Sequence, residues 1–480
     1  MIFLYLALAW CIGLGLLRWL FPSPPRWSLQ NALLLALSVG VGIGIASSLY
    51  FVTLALLGPK VLFFAIVEGL ALAAALAMGI LARRQGTVLE WALGPPTPKY
   101  FNAALGVALL SAVTIFIFCT LSKPHGDWDA WAIWNLRARF LVRAGEFWRD
   151  AFSIQIAWSH PDYPLLVPGT IALIWTLAHS ESMLAAAAVA FLFAFGVAGV
   201  LITTLGVLRG KTQSFIAGIV LLCGVSLIVT GANQYADVPV SFFVLATLGL
   251  LCLQERYPED LRFTILAGLT AGFTAWTKNE GALFLAALIV ARAWAIARYG
   301  NRTTLIPQFL RLAAGLAAPL AVIVFFKLRF APANDLLSHQ PGQIATHLTD
   351  IGRWITVLEA YVVEPFKIGT FRIGSILAPI ILLLGLYWYF LRFKVDPRDR
   401  SSIATILGTL AITLAGEFAI YVALPGDPSW QLTTSLERLL LQLWPAGLLA
   451  FFLSVNTPQL EMKSKAKPAK RGMKPAAKSA

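Results

Sequence analysis

Long apolar runs recur from one end of the chain to the other, separated by short polar stretches. Crossing a hydrocarbon core of roughly 30 Å takes about 20 helical residues, and a backbone in lipid satisfies its hydrogen bonds as a helix or a closed barrel. We therefore expect every long run to form a membrane-spanning helix. Thirteen runs are long enough: 1–21, 30–57, 61–82, 100–121, 183–208, 214–230, 236–254, 262–276, 281–298, 310–330, 373–391, 402–424 and 436–455. The pattern predicts an all-α polytopic membrane protein.

A shorter apolar segment, 164–178, lies between Pro164 and the polar sequence His-Ser-Glu-Ser. It is too short to cross, so we expect it to dip into the membrane and return. With thirteen crossings, the Lys/Arg clusters between spans fall on one face, which the positive-inside rule assigns to the cytoplasm. The N-terminus is then outside, and the C-terminal tail is cytoplasmic.

The composition excludes an ordinary soluble domain. The mean hydropathy is +0.77, and the charged fraction of 12% is too low for a water-facing surface. About half of the net charge of +14 lies in the tail 456–480, which we expect to be a disordered segment that contacts anionic lipid. The tail has no aromatic residue for base stacking, so nucleic acid is not an expected partner.

Polar residues collect in the segments that this topology places outside, of which 122–163 and 331–372 are the longest. Four motifs carry most of these polar groups: HGDWDAWAIWNLRARF (125–140), NQYADVP (233–239), TKNEG (277–281) and PGDPSWQLTTSLER (425–438). Within the spans we single out only Glu68 and Glu417, which stand near the middle of a predicted helix. An ionisable side chain at that depth is a functional candidate by default.

The pattern of residues 125–140, in the first outer segment, predicts a helix that lies in the membrane interface. Trp128, Trp131 and Trp134 are spaced by three residues, and a second apolar stripe follows on another face. One side of the helix would then contact lipid headgroups and another would contact protein. Asp127 and Asp129 lie at its start. A helix N-cap needs one aspartate, so we expect at least one of the pair to be functional.

These motifs supply the groups that transfer from a lipid-linked sugar requires. A phosphate leaving group needs cations to steady its charge but no acid to protonate it, while one carboxylate removes the proton from the acceptor hydroxyl. The candidates for catalytic carboxylates are Asp127, Asp129 and Asp237. The candidates for substrate binding are Arg137, His160, Asp162, Tyr163, Lys278, Glu280 and Arg438.

His160 and Asp162, two residues apart in SHPDYPLLVPG (159–169), are also residue types that bind divalent metals. Two ligands do not complete a coordination sphere, so we favour contact with sugar or phosphate and keep a divalent metal as the alternative. The four cysteines lie at unrelated positions inside predicted spans. They indicate neither a disulfide framework nor a zinc site.

An acidic pair in the first outer loop, a His-Pro-x-x-Pro entry to a short helix, then YADVP and TKNEG, resemble the GT-C superfamily of membrane glycosyltransferases. The similarity is greatest to the bacterial branch related to protein O-mannosyltransferases and lipid A aminoarabinose transferases. It implies a bacterial inner-membrane enzyme with a polyprenyl-phosphate-linked sugar as donor and an extracytoplasmic site. By motif, Asp129 or Asp127 would be the catalytic base, Asp237 would support it, and Lys278 would bind the lipid phosphate.

This resemblance divides the chain into parts. N-terminal transmembrane helices would be followed by a GT-C-like catalytic core with interfacial helices in its periplasmic loop, a second periplasmic loop, further transmembrane helices and the tail. The corresponding ranges are 1–99, 100–330 with the loop at 122–163, 331–372, 373–455 and 456–480. The expected reaction is an inverting transfer to a glycan, lipid or protein acceptor.

Two other functions use a lipid-linked glycan. An oligosaccharide ligase or polymerase would release a diphosphate, and such enzymes often have arginine and histidine in a large outer loop, as His339, His347 and Arg353 are in this chain. A flippase or transporter would line a cavity with charges along several spans, whereas the charges here lie mainly at the predicted outer ends of the spans.

Overall fold

A computed structural model describes residues 1–21, 30–84, 98–258, 261–333, 341–368, 371–373, 376–424 and 426–458. His339 and the predicted disordered tail, from residue 459 onward, lie outside the described residues. One antiparallel hairpin pairs β1 (Phe371–Ile373) with β2 (Ile376–Ala378).

The described residues otherwise form mainly α-helices. These are α1 (Ile2–Leu20), α2 (Gln30–Leu57), α3 (Val61–Arg84), α4 (Lys99–Ser122), α5 (Asn135–Arg143), α6 (Leu166–Ala178), α7 (Met183–Arg209), α8 (Lys211–Cys223), α9 (Val225–Ala232), α10 (Asp237–Arg256), α11 (Arg262–Thr277), α12 (Glu280–Tyr299), α13 (Leu305–Arg329), α14 (Pro341–Thr349), α15 (Ile351–Val363), α16 (Ile380–Leu391), α17 (Arg400–Ala423) and α18 (Pro428–Ser454).

Ten helices within the described ranges are long and apolar enough to cross a membrane, namely α1–α4, α7, α10, α12, α13, α17 and α18. An eleventh crossing results if α8 and α9, which meet at 58°, form one broken span. The chain is therefore a helical, multi-pass membrane protein. The break falls at Gly224, inside the predicted span 214–230, and the predicted span 262–276 forms the 16-residue helix α11.

The predicted span 373–391 is not one continuous helix. Its first residues belong to the β1–β2 hairpin, and α16 begins only after Pro379. Proline has no N–H to donate and fits the first turn of a helix, so it marks the start of α16. The helix has 12 residues and rises about 18 Å, which is less than the roughly 30 Å of a hydrocarbon core.

The short segment 164–178 forms α6, whose 13 residues are too few to cross a membrane. Every residue from Leu166 to Trp175 is buried, because the helix packs against α2 and α5. His179 ends it in the left-handed backbone region, with φ of 50°. The segment is thus an internal support for the loop between α4 and α6.

Helix α10 lies at the centre of the bundle. Its residues from Asp237 to Gln254 are all buried, and it packs against α7, α11 and α18. Helices α3 and α4 leave most of their apolar side chains exposed, which is expected of helices that face lipid. Small residues let other helices touch closely: a Cβ on Gly268 of α11 would collide with the backbone of Leu312 in α13.

A second, smaller apolar core joins the segment 341–368 to the bundle. Val357 of α15 packs there with Tyr421 and Val422 of α17 and Leu436 of α18. Arg353 of α15 binds the C-terminal end of α17. Its guanidinium donates hydrogen bonds to backbone carbonyl oxygens in the last turn of α17 and just after it, including that of Val422 at 3.1 Å. This second core is separate from the main core of the bundle.

The loop between α4 and α6 starts with a π-helical turn, Ala130–Trp134, that continues into α5. Two 3-10 segments, Gly145–Phe152 and Ile154–Ser159, complete it. Trp128 and Trp131 are exposed, as the interfacial interpretation predicts, whereas Trp134 is fully buried. The three tryptophans therefore do not share a face, because a π turn takes more residues than an α turn and shifts the later side chains around the axis.

Candidate functional site

Five charged side chains of alternating sign meet at one end of the bundle. Arg438 pairs with Asp129 and lies 3.6 Å from Asp237 Oδ2. Lys278 Nζ lies 3.0 Å from Asp237 Oδ1 and 2.8 Å from Glu280 Oε1. We call this series, Asp129, Arg438, Asp237, Lys278 and Glu280, the ion-pair chain. All five were candidates from the sequence.

Helix ends bring these residues together. Asp237 and Glu280 are the first residues of α10 and α12, where the helix dipole favours a negative charge. Lys278 is in extended conformation between α11 and α12, Asp129 precedes the π-helical turn, and Arg438 extends from α18. The ends of four elements therefore converge, and we refer to this part of the bundle as the site end.

Burial makes the ion-pair chain electrostatically strong. Asp237 is 1% exposed and Lys278 is 5% exposed, and charges interact more strongly where water is excluded. Burial lowers the pKa of Lys278, but the carboxylates of Asp237 and Glu280 raise it by more, so it lies well above the ordinary value. The ammonium group therefore stays charged. Gln442 of α18 also donates to Asp237 Oδ1, at 2.7 Å.

Aromatic rings form one wall beside the ion-pair chain. The ring of Tyr163 stacks between those of Trp134 and His160, with centroid distances of 5.7 and 5.0 Å. Lys278 Nζ lies 5.9 Å from the Tyr163 centroid. Burial, followed by the charge of Glu280, raises the pKa of Tyr163 well above its ordinary value. The phenol is therefore neutral.

A second polar group lies next to Tyr163. Asp162 accepts a hydrogen bond from Asn279 Nδ2 at 2.6 Å. Lys327 Nζ donates to the Asp162 carbonyl at 2.6 Å and to Asn279 Oδ1 at 2.7 Å. Arg137 donates to the Pro161 carbonyl at 3.3 Å. Burial lowers the pKa of Arg137 to about 9, and the charge of Asp162 opposes that shift.

Several buried polar atoms around these groups have no hydrogen-bond partner among the described residues. They are Trp134 Nε1, Asn135 Oδ1, Arg137 Nε and Nη1, Asp237 Oδ2 and Glu280 Oε2. Leaving a buried donor or acceptor unsatisfied costs about 1–3 kcal/mol, and native proteins keep few such groups. These six atoms offer donors and acceptors to a polar ligand.

Asp127 is the one sequence candidate that does not join the site. Its side chain is 37% exposed and pairs with Lys123 at 2.5 Å. That hydrogen bond lowers the pKa of Asp127 below its ordinary value. The Asp127 backbone instead fixes the loop, because its N–H donates to the Asn233 carbonyl at 3.1 Å. The structure therefore separates two aspartates between which the sequence favoured Asp129 but left the register ambiguous by two residues.

The sequence analysis missed Gln442, Asn279 and Lys327 as site residues. Asn279 lies inside the TKNEG motif and was visible there. Gln442 was detectable only as an amide in an apolar run, and Lys327 only as a cation at the end of a predicted span. Lysines at that depth often extend to the interface, so the position alone did not indicate the contact with Asp162.

The surroundings of His160 and Asp162 do not supply a metal-ligand set. Within the described ranges, no three His, Cys, Asp or Glu side chains are grouped so that they could hold a metal ion. Asp162 is instead close to the cations Lys327 and Arg137, whose charges oppose a divalent cation. The geometry fits an anionic or hydroxylated ligand better than a metal.

The opposite end of the bundle holds another buried polar group. Arg292, in α12, pairs with Glu255 at 2.6 Å and donates to Gln308 at 2.6 Å. Arg256 pairs with Asp399 at 3.0 Å. The sequence analysis, which singled out only Glu68 and Glu417 within spans, missed Arg292, although it stands as a charged residue inside an apolar run.

Neither a family model, nor a curated protein, nor a solved structure matches the chain. Fold and site alone therefore define its class. It is a multi-pass membrane protein with a buried series of alternating carboxylates and cations where several helices begin.

Proposed function

We propose that the protein is a membrane glycosyltransferase of the GT-C type, which transfers a sugar from a polyprenyl-phosphate donor to an acceptor at the extracytoplasmic face of a bacterial inner membrane. The observation that carries the proposal is the buried ion-pair chain, surrounded by unpartnered polar atoms. It combines carboxylates that can accept a proton with cations that can bind a phosphate, and a buried cation–carboxylate series is expensive to maintain for packing alone.

In this reaction the acceptor O–H proton moves to Asp129 while its oxygen bonds to the sugar C1 on the face opposite the phosphate. The bond from C1 to the phosphate oxygen breaks, and the lipid phosphate leaves with the electron pair. Lys278 and Arg438 stabilise that negative charge, with Arg438 also orienting the base. Asp237 holds both cations in place. One displacement of this kind inverts the anomeric carbon.

Asp129 is the better candidate for the base than Asp127. Its carboxylate belongs to the ion-pair chain through its contact with Arg438. Asp127 is solvated and paired with Lys123. A general base must lie within hydrogen-bond reach of the proton that it removes, and Asp129, unlike Asp127, belongs to the ion-pair chain that the ligand would contact.

An apolar cavity fits the lipid tail of such a donor. It has a volume of about 700 Å³ and lies among α1, α2, α4 and α7. Its lining includes Phe3, Trp10, Ile43, Phe116, Leu121 and Ala187. Leu121 is close to the end of α4, immediately before the loop that carries Asp129. The lining is almost wholly apolar, which suits an isoprenoid chain.

Ala187→Trp tests this part of the proposal. The indole would fill the cavity, so we expect kcat/KM to fall about tenfold for a donor with a long polyprenyl chain, which equals roughly 1.4 kcal/mol of lost apolar burial. A donor with only two isoprene units should react equally well with both proteins. Ala74→Trp, on the exposed face of α3, is the control. Equal losses for long and short donors would contradict a tail site.

Transport of a lipid-linked glycan is the second candidate, and a specific observation favours it. Every fourth residue of α17 from Ser401 to Thr413 is buried and bears a hydroxyl, and Glu417 continues the row. The row extends from the polar group around Arg292 to the site end. Each threonine hydroxyl, however, already donates to the carbonyl four residues earlier, as threonine commonly does in a packed helix.

A donor panel distinguishes these functions. Purified protein in nanodiscs is incubated with radiolabelled sugars on polyprenyl monophosphate and with glycans on polyprenyl diphosphate, and fluorescent analogues of both are followed across proteoliposome membranes. The glycosyltransferase proposal predicts sugar release from a monophosphate donor. Release only from a diphosphate donor would favour a ligase or polymerase. Movement of the lipid without release would favour a flippase.

A further inference from the structure

Glu417 is a buried carboxylic acid that the proposed reaction does not use. It lies on α17, six residues before the helix ends, and is 6% exposed. Glu280 and Lys278 are close enough for their charges to act on it. Within the described part of the chain, its carboxyl has neither a hydrogen-bond partner nor an ion-pair partner of its own.

Two further groups near Glu417 also lack partners. The hydroxyl of Tyr361, on α15, is buried and unpaired among the described residues, and its ring centroid lies 6.3 Å from that of Tyr421, one helical turn after Glu417. Glu280 Oε2 is likewise buried and unpaired there. By contrast, the neighbouring hydroxyl of Tyr421 is satisfied, because it bonds to Ser435 Oγ at 2.6 Å.

The position of these groups favours a binding cleft over a packing role. Tyr361 and Tyr421 belong to the second apolar core, in which α15 covers α17 and α18, whereas Glu280 begins a helix of the main bundle. Boundaries between separately packed units are common places for ligand sites. Aromatic rings also lie at this boundary, with Tyr361 and Phe418 centroids 5.3 Å apart.

Glu68 is a second buried carboxyl, but it has no other unpaired polar group near it among the described residues. Its Oε1 also lacks a partner within the described ranges, but it lies on α3, most of which is exposed as a lipid-facing helix. Within the described ranges, no charged side chain lies close enough to act on its carboxyl. An unpaired carboxyl by itself therefore indicates no site, whereas three unpaired groups at one boundary do.

We propose that Glu417, Glu280 and the Tyr361 hydroxyl form a subsite that binds the hydroxyl groups of a sugar ring. This inference rests on the proposed glycosyltransferase function and specifies where the sugar is held. Carboxyl oxygens accept hydrogen bonds from sugar O–H groups, and a bond to Glu280, which pairs with Lys278, is a bond to an ionised acceptor and is stronger than one between neutral groups. Tyr361 can both donate and accept. Lys278 connects the subsite to the phosphate-binding end of the ion-pair chain.

Binding of free glycosides tests the subsite without relying on turnover. Wild-type protein in nanodiscs is titrated with methyl glycosides of common hexoses and pentoses by isothermal titration calorimetry. Glu417→Leu should weaken the affinity for the glycoside that binds best by about tenfold, because it removes a hydrogen bond between the sugar and a buried carboxyl group. Tyr361→Phe should weaken it several-fold. Glu68→Gln, the matched buried carboxyl, should leave it unchanged.

Tyr361→Phe is the control for misfolding, since it removes a hydroxyl that has no partner among the described residues and should leave thermal stability unchanged. Equal affinities in wild type, Glu417→Leu and Tyr361→Phe would overturn the subsite, as would a wild type that binds no glycoside. Sugar release from the donor panel is measured in parallel. If release persists while glycoside affinity is insensitive to these changes, only the subsite fails. If no donor releases sugar, the glycosyltransferase proposal fails, and the subsite is judged by glycoside affinity alone.

Discussion

Asp129→Asn should lower kcat for sugar transfer by roughly 10² to 10⁴, the range expected for loss of a general base, while Asp127→Asn should lower it far less. The amide keeps the shape of the side chain but cannot accept the proton. Asp127 lies outside the ion-pair chain and is paired with solvated Lys123. The two aspartates are two residues apart, and each variant removes one negative charge from the same loop. A difference in kcat therefore reports the place of Asp129 in the ion-pair chain and not the loss of charge.

The measurement is single-turnover release of radiolabelled sugar from a saturating monophosphate donor, with donor binding determined separately for each variant. Loss of kcat with intact donor affinity in Asp129→Asn would identify an interaction made in the transition state. The assignment is wrong if Asp127→Asn shows the larger loss, or if Asp129→Asn retains wild-type kcat.

Lys278→Met should cause the largest loss of stability of any single substitution in the site. The change leaves Asp237 buried with only partial compensation from Arg438, and leaves Glu280 without its cation. Removing one partner of a buried ion pair typically costs about 3–5 kcal/mol in the free energy of unfolding. The loss is measured as a shift of the denaturation midpoint in mixed SDS and detergent micelles, without substrate.

Lys123→Met is the matched control, because Lys123 also pairs with an aspartate but its side chain is 53% exposed. An exposed pair contributes at most about 1 kcal/mol. The double variant Lys278→Met, Asp237→Asn should recover part of the lost stability, since it removes a carboxylate that Lys278 neutralised. Equal effects of Lys278→Met and Lys123→Met would show that the ion-pair chain is not electrostatically strong.

Apolar run length predicted most of the helices because lipid imposes the same requirement on each span. It was wrong for 373–391, where Pro379 and a hairpin interrupt the run. The length of an apolar run shows that a segment can lie in lipid, but it does not show where the helix within that segment is interrupted. The broken pair α8 and α9 shows the same limit, since Gly224 gave no signal strong enough to separate two helices.

Site residues could be predicted where a charged residue lies at the end of an apolar run. The contacts between residues distant in sequence could not be predicted. Asp237 and Lys278 stood out as charged residues at the ends of apolar runs. The contacts of Asp237 with Gln442 and Arg438 join positions about 200 residues apart, and the sequence does not show which distant residues meet. Arg292 was visible as a charge inside an apolar run, but its partner Glu255 is 37 residues away and the sequence does not show that the two pair.

Azide rescue of Asp129→Ala tests the central claim, that this carboxylate deprotonates the acceptor, most directly. Azide is already an anion and needs no base, so it can attack the sugar of a bound donor in the space left by the carboxylate. If Asp129 is the base, Asp129→Ala releases almost no sugar to a hydroxyl acceptor but forms a glycosyl azide of inverted anomeric configuration. No glycosyl azide from a variant that still binds the donor would contradict it.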